Sequence, residues 1–519
     1  MEYEKKEILI YQQGKTITDQ FYMDEDYNVP DNKSDVRRIV LGECKVQVEE
    51  MKRVENYIRV SGKMCFKVLY VADEEEEVLA SLAGKLPFEE MVYLEDEPLD
   101  NLFVKASSAD ITVSIIHSRK LNLKILTELQ ICSEGRCEEE VTMDVAHSVP
   151  IYKKQKNKNL LRLFTIKKDT YRIKEEVTLN GTKENIGTLL WTEIISRKLD
   201  TRISQDQVLL QGELLFFCFY ESMDGKTDWI EQTIPYEGRI ECYGANDSMF
   251  HQIYPELTDT NVDVRMDEDG EMRVLGVEAT LEARIVVYEE ENLQLLDDIY
   301  SLQEMCTPVV KQKRFEQLLM QNHSKCKVVE QLSLPEIKND ILQICHSSGW
   351  IQLEHTEPVE NGVQVEGVLH VTFLYVKSDD KVPFAVWQGM VPFSHVLESN
   401  SVAPDMNCDL TYSVEQISIG LLGNDEIEVK AVLAFNSFLK QPVRVNNIEE
   451  IQSAPVNVEE LERRPGIIGY IVKDGDELWD LAKRYSTTAE GIMEVNQMAD
   501  STLKTGEKIL IFKENMSIL

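Results

Sequence analysis

Several groups of residues have types and spacings that could perform chemistry. Gly225-Lys226-Thr227 resembles the end of a phosphate-binding loop, but that pattern needs a glycine five residues earlier, where Tyr220 stands. Asp267, Asp269 and Gly270 match positions 3, 5 and 6 of a calcium loop. Arg265 and Gly276 occupy positions 1 and 12, where oxygen ligands are required, so we expect a tight turn instead.

The sulfur and imidazole groups do not form a metal-binding pattern. Cys132 and Cys137 have neither a second cysteine pair nor a nearby set of histidines, and His117 and His147 stand alone. The chain contains no HExxH and no GxSxG motif. With 92 acidic residues, pairs of carboxylates carry little diagnostic weight for glycoside hydrolysis. We therefore expect a non-enzymatic protein without a metal or cofactor.

The composition limits the kinds of partner that the protein can bind and the cellular compartment in which we expect it. The 519 residues include 55 basic and 92 acidic ones, a net charge of −37 that opposes direct binding to nucleic acid or to an anionic bilayer. No apolar run approaches the roughly 20 residues of a membrane span, so we expect no membrane insertion. The N-terminal stretch MEYEKKEILIYQQGK lacks an apolar signal region, which predicts a cytoplasmic protein whose ten cysteines are free.

One stretch occurs three times and organises most of the chain. VSGKMCFKVLY, LQGELLFFCFY and VEGVLHVTFLY each place a glycine third and a tyrosine last, with mainly apolar residues between them. The glycines are Gly62, Gly212 and Gly367, and the tyrosines are Tyr70, Tyr220 and Tyr375. We interpret the glycines as marks of a bulge or a close backbone approach, and the tyrosines as packing residues.

Further landmarks keep the same register around this stretch. An aliphatic residue lies 33 positions before each glycine: Val29, Leu179 and Leu334. A proline-aromatic pair follows each glycine after 25, 23 and 25 positions: Pro87-Phe88, Pro235-Tyr236 and Pro392-Phe393. An alternating run comes next in each copy: 110–115, 261–266 and 409–414. Four landmarks in one order, three times, indicate a triplicated domain.

Alternating strands separated by Gly, Asn and Asp turns predict a mainly β protein with three repeated, antiparallel, sandwich-like domains. We assign these domains to residues 1–153, 159–305 and 326–452. The basic stretch 152–159 is interpreted as a linker. Residues 306–325, with apolar Val310, Phe315, Leu318 and Leu319 after Pro308, are predicted to form a connecting helix. Residues 453–466 are predicted to be a second linker.

The C-terminal residues 467–514 have a different pattern, which predicts strand, helix, helix and strand. Asp474 or Asp476 could cap the first helix. Thr487 with Glu490 predicts a capping box for the second helix. We expect a small βααβ module.

This module resembles a LysM domain. The resemblance rests on the YIV strand, the DGDELW turn, the AKRYSTT junction, Asn496 at the end of the second helix and the LKTGEKILI closing strand. LysM domains usually bind N-acetylglucosamine polymers between two loops, which correspond here to 475–478 and 496–503. Glu477 stands where the sugar-binding pattern commonly has threonine, which weakens the sugar interpretation.

Trp479 admits two interpretations, as a core residue or as part of an apolar patch with Ile467 or Ile468 that anchors a protein partner. We expect the partner surface to consist of this patch and the two loops. The candidate residues are Ile467, Ile468, Gly475, Asp476, Glu477, Leu478, Trp479, Asn496, Ala499, Asp500 and Leu503.

Three acidic β-rich repeats followed by one LysM domain resemble the SipL-type spore-coat morphogenetic proteins of clostridia, in which the repeats are SPOCS domains. The resemblance implies a non-enzymatic adaptor that acts in the mother cell during sporulation and joins the basal coat layer to the forespore surface. It implies that the LysM domain docks to the coat-assembly ATPase, with other coat proteins as further partners. The alternative is a protein that binds peptidoglycan or N-acetylglucosamine polymers, or an accessory of a wall or cortex hydrolase.

Overall fold

The protein consists of three β-sandwich repeats and a small C-terminal module. The computed structural model describes residues 1–73, 78–94, 99–335, 340–378, 384–423, 425–457, 463 and 465–513. The predicted fold class is confirmed, because within these ranges all strand pairings are antiparallel and the two helices whose bounds are described lie between the strands of the C-terminal module. In the described ranges, no helix is long and apolar enough to cross a bilayer.

The strands of the three repeats follow one another along the chain. Repeat 1 contains β1 (Glu2–Gln13), β2 (Ile17–Asn28), β3 (Val36–Val54), β4 (Tyr57–Ala72), β5 (Leu79–Tyr93), β6 (Asn101–His117) and β7 (Lys120–Ala146). Repeat 2 contains β8 (Tyr152–Thr178), β9 (Ile186–Ser204), β10 (Gln207–Ser222), β11 (Thr227–Glu241), β12 (Phe250–Met266) and β13 (Met272–Tyr300). Repeat 3 contains β14 (Glu304–Ser333), β15 (Ile341–Val359), β16 (Gly362–Lys377), β17 (Phe384–Glu398), β18 (Asn407–Leu421) and β19 (Glu426–Pro455).

Each repeat packs two sheets face to face. In repeat 2, β9-β10-β11 form one sheet and β12-β13-β8 form the other, and repeat 3 has the same arrangement. Repeat 1 differs because β1 and β2 pair with successive parts of β7 on the side where repeat 2 has the single strand β8. The alternate residues of both sheets fill one apolar core per repeat, which includes Tyr70, Tyr220 and Tyr375.

The recurrent glycines lie directly opposite the recurrent aromatic residues. Gly62 pairs across the ladder with Phe88, Gly212 with Tyr236 and Gly367 with Phe393. On the other side of each glycine, the pairing with the preceding strand shifts by one residue. The glycine thus leaves room for a ring beside a bulge, as the repeat pattern predicted.

Replacing Gly367 with alanine is expected to lower the free energy of unfolding by about 1–3 kcal/mol, the usual effect of overpacking a filled site. A Cβ at this position would lie 2.3 Å from the carbonyl oxygen of Gln352 and 3.1 Å from the ring of Phe393. Urea denaturation followed by circular dichroism measures the loss. The matched control is Gly181→Ala, because a Cβ on Gly181 meets no atom within 4 Å. Equal stability of the two variants would contradict the packing explanation.

The first and last strands of each repeat extend beyond the sandwich as a two-stranded arm. The arms consist of 2–13 with 134–146, 152–163 with 288–300, and 304–318 with 440–455. Apolar side chains from all three arms pack into one cluster, with Ile8 from repeat 1, Leu160 from repeat 2 and Phe315 from repeat 3. The three repeats therefore surround a common axis instead of forming a string of separate domains.

The arms overturn two predictions and shorten a third. Residues 306–325 are not a connecting helix, because they belong to β14 and pair residue by residue with β19. Residues 152–159 are not a linker, because they begin β8 and pair with β13. In the predicted linker 453–466, residues up to Pro455 still belong to β19, whereas 458–462 and 464 lie outside the described residues. Pairing over the whole arm outweighs the local helical spacing.

A buried polar cluster, here called the junction, ties the three repeats together at the base of the arms. Arg284 of repeat 2 forms an ion pair with Glu134 of repeat 1, and both residues are less than 10% exposed. Arg284 also donates to the hydroxyl of Tyr11 at 2.8 Å, and Tyr11 donates to Glu134 at 3.1 Å. Lys440 of repeat 3 completes the junction, with its Nζ 5.6 Å from the ring centres of Tyr11 and Tyr288.

Glu134, Tyr288 and Lys440 occupy the same position in their repeats. Each lies fourteen residues after the residue of its last strand that pairs with Asn28, Thr178 or Ser333, which is Lys120, Val274 or Glu426. The axis of the repeats is thus lined by an acid, a phenol and a base at one structurally equivalent place.

A second contact between repeats lies at the opposite end of the sandwiches. His346 of repeat 3 stacks on Phe217 of repeat 2 with ring centres 4.0 Å apart. Its ring nitrogens contact Glu231 at 2.7 Å and Glu193 at 2.9 Å. Burial lowers the pKa of His346, but the two carboxylates outweigh burial and raise it to about 9. The side chain is therefore a buried imidazolium near neutral pH.

The C-terminal module has the predicted βααβ order. It contains β20 (Ile467–Ile471), α1 (Leu478–Tyr485), α2 (Ala489–Asn496) and β21 (Lys508–Phe512). Both predicted caps are wrong by one or more residues. Glu477 is the N-cap of α1 and makes no side-chain cap hydrogen bond, whereas Thr488, not Thr487, caps α2 by accepting from the Gly491 amide at 2.9 Å.

Candidate functional site

The candidate surface is built on the hairpin β20-β21 and the two helices that pack on it. Leu478 is 3% exposed and belongs to the core of the module, together with Ile492 and Ile511. Ile468 and Leu503 are half-buried against the same core. These three candidate residues therefore hold the surface in place and offer little area to a partner.

Two of the polar candidates are engaged in holding the loops. Asp476 accepts hydrogen bonds from the Lys473 amide and the Tyr470 hydroxyl, both at 2.8 Å. These bonds hold the pKa of Asp476 below its usual value. Asn496 exchanges two 2.7 Å hydrogen bonds with the backbone of Leu510, which fixes the end of α2 to β21.

The accessible part of the surface is smaller than the sequence predicted. Ile467 is 60% exposed, and Gly475, Glu477, Ala499 and Asp500 are also exposed. The two predicted loops thus contribute backbone and acidic groups, and Ile467 adds an apolar side chain at the start of β20.

Glu477 is paired with another part of the chain. Its carboxylate forms an ion pair with Lys154, which lies in the arm of repeat 2. The hydrogen bond from Lys154 lowers the pKa of Glu477. The acidic residue that replaces the common threonine therefore makes a contact between protein domains.

Trp479 also faces the arm of repeat 2. Its indole N–H donates to Asp298 at 2.8 Å, and its ring packs edge-on against Tyr300 with centres 4.8 Å apart. Asp298 accepts a second bond from Lys483 at 2.6 Å. The Tyr300 hydroxyl donates to the Thr487 carbonyl at 3.0 Å. Trp479 is thus an interface residue, but the interface in this structure is intramolecular.

Sequence reasoning missed the arm residues that complete this contact. Tyr152 and Lys154 lay in a stretch interpreted as a linker. Asp298 and Tyr300 lie at the end of β13, and Asp298 is 181 residues before Trp479. Tyr152 stacks on Tyr300 with ring centres 5.0 Å apart. Residues 152–159 are almost entirely polar, so they carry no apolar alternation that would predict a strand, and no pattern pointed from them to the C-terminal module.

The rest of the molecule offers no metal centre in the part that the structure describes, since it holds no cluster of three or more His, Cys, Asp or Glu side chains arranged for an ion. The ten cysteines are free, as predicted, and seven of them are buried. Burial raises the pKa of Cys218 to about 12, which keeps its thiol protonated and unreactive at neutral pH.

Comparison with protein families assigns both kinds of domain. The model described as SipL, SPOCS domain matches residues 35–116, 185–265 and 340–422, one segment in each repeat. The LysM domain model matches residues 470–512. No curated protein and no solved structure matches the chain.

These matches identify the type of each domain in the chain. SPOCS and LysM domains together suggest a sporulation-related protein with a cell-wall-binding module, and the LysM domain suggests binding to peptidoglycan or another glycan. The order of the matches along the chain agrees with the repeats and the C-terminal module seen in the structure. The chain therefore has a SipL-type architecture, in which three SPOCS domains precede one C-terminal LysM domain.

Proposed function

We propose that this protein is a non-enzymatic adaptor of spore-coat assembly. The three SPOCS repeats form the body, and the LysM domain docks to the coat-assembly ATPase, so that the basal coat layer is joined to the forespore surface. The adaptor acts in the mother-cell cytoplasm and becomes part of the coat. Other coat proteins are further partners, and several weak contacts on one chain gain avidity on a polymeric layer.

One observation carries the proposal that this LysM domain binds protein. The loop that holds a sugar in the common pattern here carries Glu477, and Glu477 and Trp479 both contact a protein surface in this structure. Aromatic residues and charged pairs of this kind are typical anchors of protein interfaces. A polymer of N-acetylglucosamine has no cationic group equivalent to Lys154, because its nitrogen atoms are neutral amides.

Peptidoglycan is the second candidate partner, because the LysM family match favours it. Gly475, Ala499 and Asp500 remain exposed on the two loops between which LysM domains hold N-acetylglucosamine chains. In that case the protein would be a wall-binding protein or an accessory of a cortex hydrolase.

The two partners are separated by a binding assay on the full chain. Purified protein is sedimented with insoluble peptidoglycan and, separately, captured on the immobilised ATPase. We expect binding to the ATPase only. An Ile467→Glu variant should bind the ATPase at least about tenfold more weakly, because a charge replaces an exposed apolar contact.

The matched control is Ile116→Glu, since Ile116 is 49% exposed and lies in repeat 1. It should bind as the unmodified protein does. Sedimentation with peptidoglycan and no capture by the ATPase would overturn the proposed partner and make the wall-binding function the better description.

A further inference from the structure

The arm of repeat 2 covers one side of the LysM domain through five polar or aromatic contacts. Lys154 pairs with Glu477, Asp298 binds both Trp479 and Lys483, and Tyr300 packs on Trp479 while donating to the Thr487 carbonyl. Tyr300 is 5% exposed, so this aromatic residue is removed from water by the contact. The covered side includes Glu477, at one edge of the groove between the two LysM loops.

The contact has the composition of a reversible interface. Its apolar part consists of Tyr152, Tyr300 and Leu302, which pack against Trp479 and the edge of the module's core. The remaining contacts are charge-assisted hydrogen bonds at a partly exposed rim. Glu477 is still 57% exposed in its side chain. Partly exposed ion pairs of this kind each make a modest contribution to stability, so the arrangement can open without unfolding either domain.

The connection between the two domains permits such opening. Eleven residues separate Pro455, the end of β19, from Ile467, the start of β20. A chain of this length can span roughly 40 Å, so the LysM domain can leave the arm while it remains tethered. The same tether keeps the local concentration of the arm high, in the millimolar range typical of short linkers.

We propose that the arm of repeat 2 is an internal competitor, which occupies the Trp479 side of the LysM domain until a partner displaces it. The inference rests on the proposed function, because it takes the ATPase as the partner that needs this side. A partner that binds only the open form has its apparent affinity reduced by the fraction of molecules that are open. Weakening the arm contact must therefore tighten binding by the partner.

The test uses the full chain with the variant Lys154→Ala/Asp298→Asn, which removes the charged contacts from the arm and leaves every LysM residue intact. We expect it to bind the immobilised ATPase about tenfold more tightly than the unmodified protein. The matched control is Lys156→Ala/Asp297→Asn, because this neighbouring pair on the same two strands is joined at 2.8 Å. The control should bind as the unmodified protein does.

A second readout does not depend on the partner. With 5-fluorotryptophan in place of the five tryptophans, the ¹⁹F resonance of Trp479 is assigned by its absence in Trp479→Phe. In the Lys154→Ala/Asp298→Asn variant this resonance alone should shift towards the position of a solvent-exposed indole, whereas the control variant leaves it in place.

The outcomes separate the two levels of the proposal. If the ATPase binds the unmodified protein, the arm variant and the control variant equally and the Trp479 resonance does not move, the proposal of an internal competitor is wrong. The proposed adaptor function is then unaffected. If the resonance shifts but no protein binds the ATPase, the arm contact is real and the proposed partner is wrong. Weaker binding by the arm variant would show that the arm belongs to the partner site and would also overturn the competitor.

Discussion

Replacing Arg284 with alanine is expected to lower the free energy of unfolding by about 3–5 kcal/mol, the largest loss that we predict for a single substitution in the chain. The substitution leaves the carboxylate of Glu134 buried at 6% exposure without its cationic partner. It also removes the hydrogen bond to Tyr11 and the stacking on Phe103, whose ring centre lies 3.7 Å from the guanidinium carbon. Urea denaturation followed by circular dichroism measures the change.

The control is Arg265→Ala, because Arg265 is also an arginine of repeat 2 with two acidic partners, but its side chain is 41% exposed. This variant should unfold at nearly the same urea concentration as the unmodified protein. A double variant, Arg284→Met/Glu134→Leu, should recover most of the loss, since no charge then remains buried without a partner. Equal losses from Arg284→Ala and Arg265→Ala would show that the junction does not hold the repeats together.

The stability of the protein is expected to fall between pH 6.5 and 9 because of His346. Its folded-state pKa, about 9, lies above the value of about 6.5 in an unfolded chain. A raised pKa contributes stability that is complete below pH 6.5 and is lost as the pH rises through 9. The contribution is on the order of 2–3 kcal/mol, which allows for the partial exposure of Glu231.

Urea titrations at half-unit pH steps measure the slope of the free energy of unfolding against pH. In His346→Gln the slope over that interval should disappear, and stability at pH 6.5 should be lower, because Glu193 and Glu231 then approach each other without a cation between them. His355→Gln is the control, since His355 also contacts a glutamate, Glu357, but is 59% exposed. A slope that persists unchanged in His346→Gln would assign the pH dependence to other groups.

The sandwich of each repeat could be predicted from local spacing. Gly367 and Phe393 are 26 residues apart, and the equivalent pairs in repeats 1 and 2 are 26 and 24 residues apart. This similar spacing reflects one hairpin that the structure reproduces in each repeat. Such hairpins are local, and the alternation of apolar residues fixes which face of a strand is buried.

The arms could not be predicted in this way. Val310, Phe315, Leu318 and Leu319 have a helical spacing. In the structure, Phe315 is buried in a cluster to which the other two repeats contribute side chains such as Ile8 and Leu160. When distant segments bury a side chain, the local sequence need not show the two-residue alternation of apolar residues that predicts a strand. The junction is hidden for the same reason, because Arg284 and Glu134 are 150 residues apart.

The candidate surface was predictable in outline and not in detail. The resemblance to a LysM domain located its two loops and Ile467, which the structure leaves exposed. It did not distinguish the residues that support the surface, such as Asn496, from those that present it. Asp298 and Tyr300, which cover Trp479, belong to repeat 2. The sequence of the C-terminal module therefore does not predict these contacts.

The unlike residues at the axis of the repeats also constrain how such a molecule could have arisen and could be re-engineered. A trimer of one repeat as a separate chain would place three glutamates or three lysines at this buried position, and the like charges would oppose assembly. Joining the copies in one polypeptide lets Glu134, Tyr288 and Lys440 differ and complement one another. Exchanging two repeats, or replacing one repeat by a second copy of another, should therefore remove the complementarity between these three buried side chains. Covalent fusion thus assigns each repeat to one defined position around the axis.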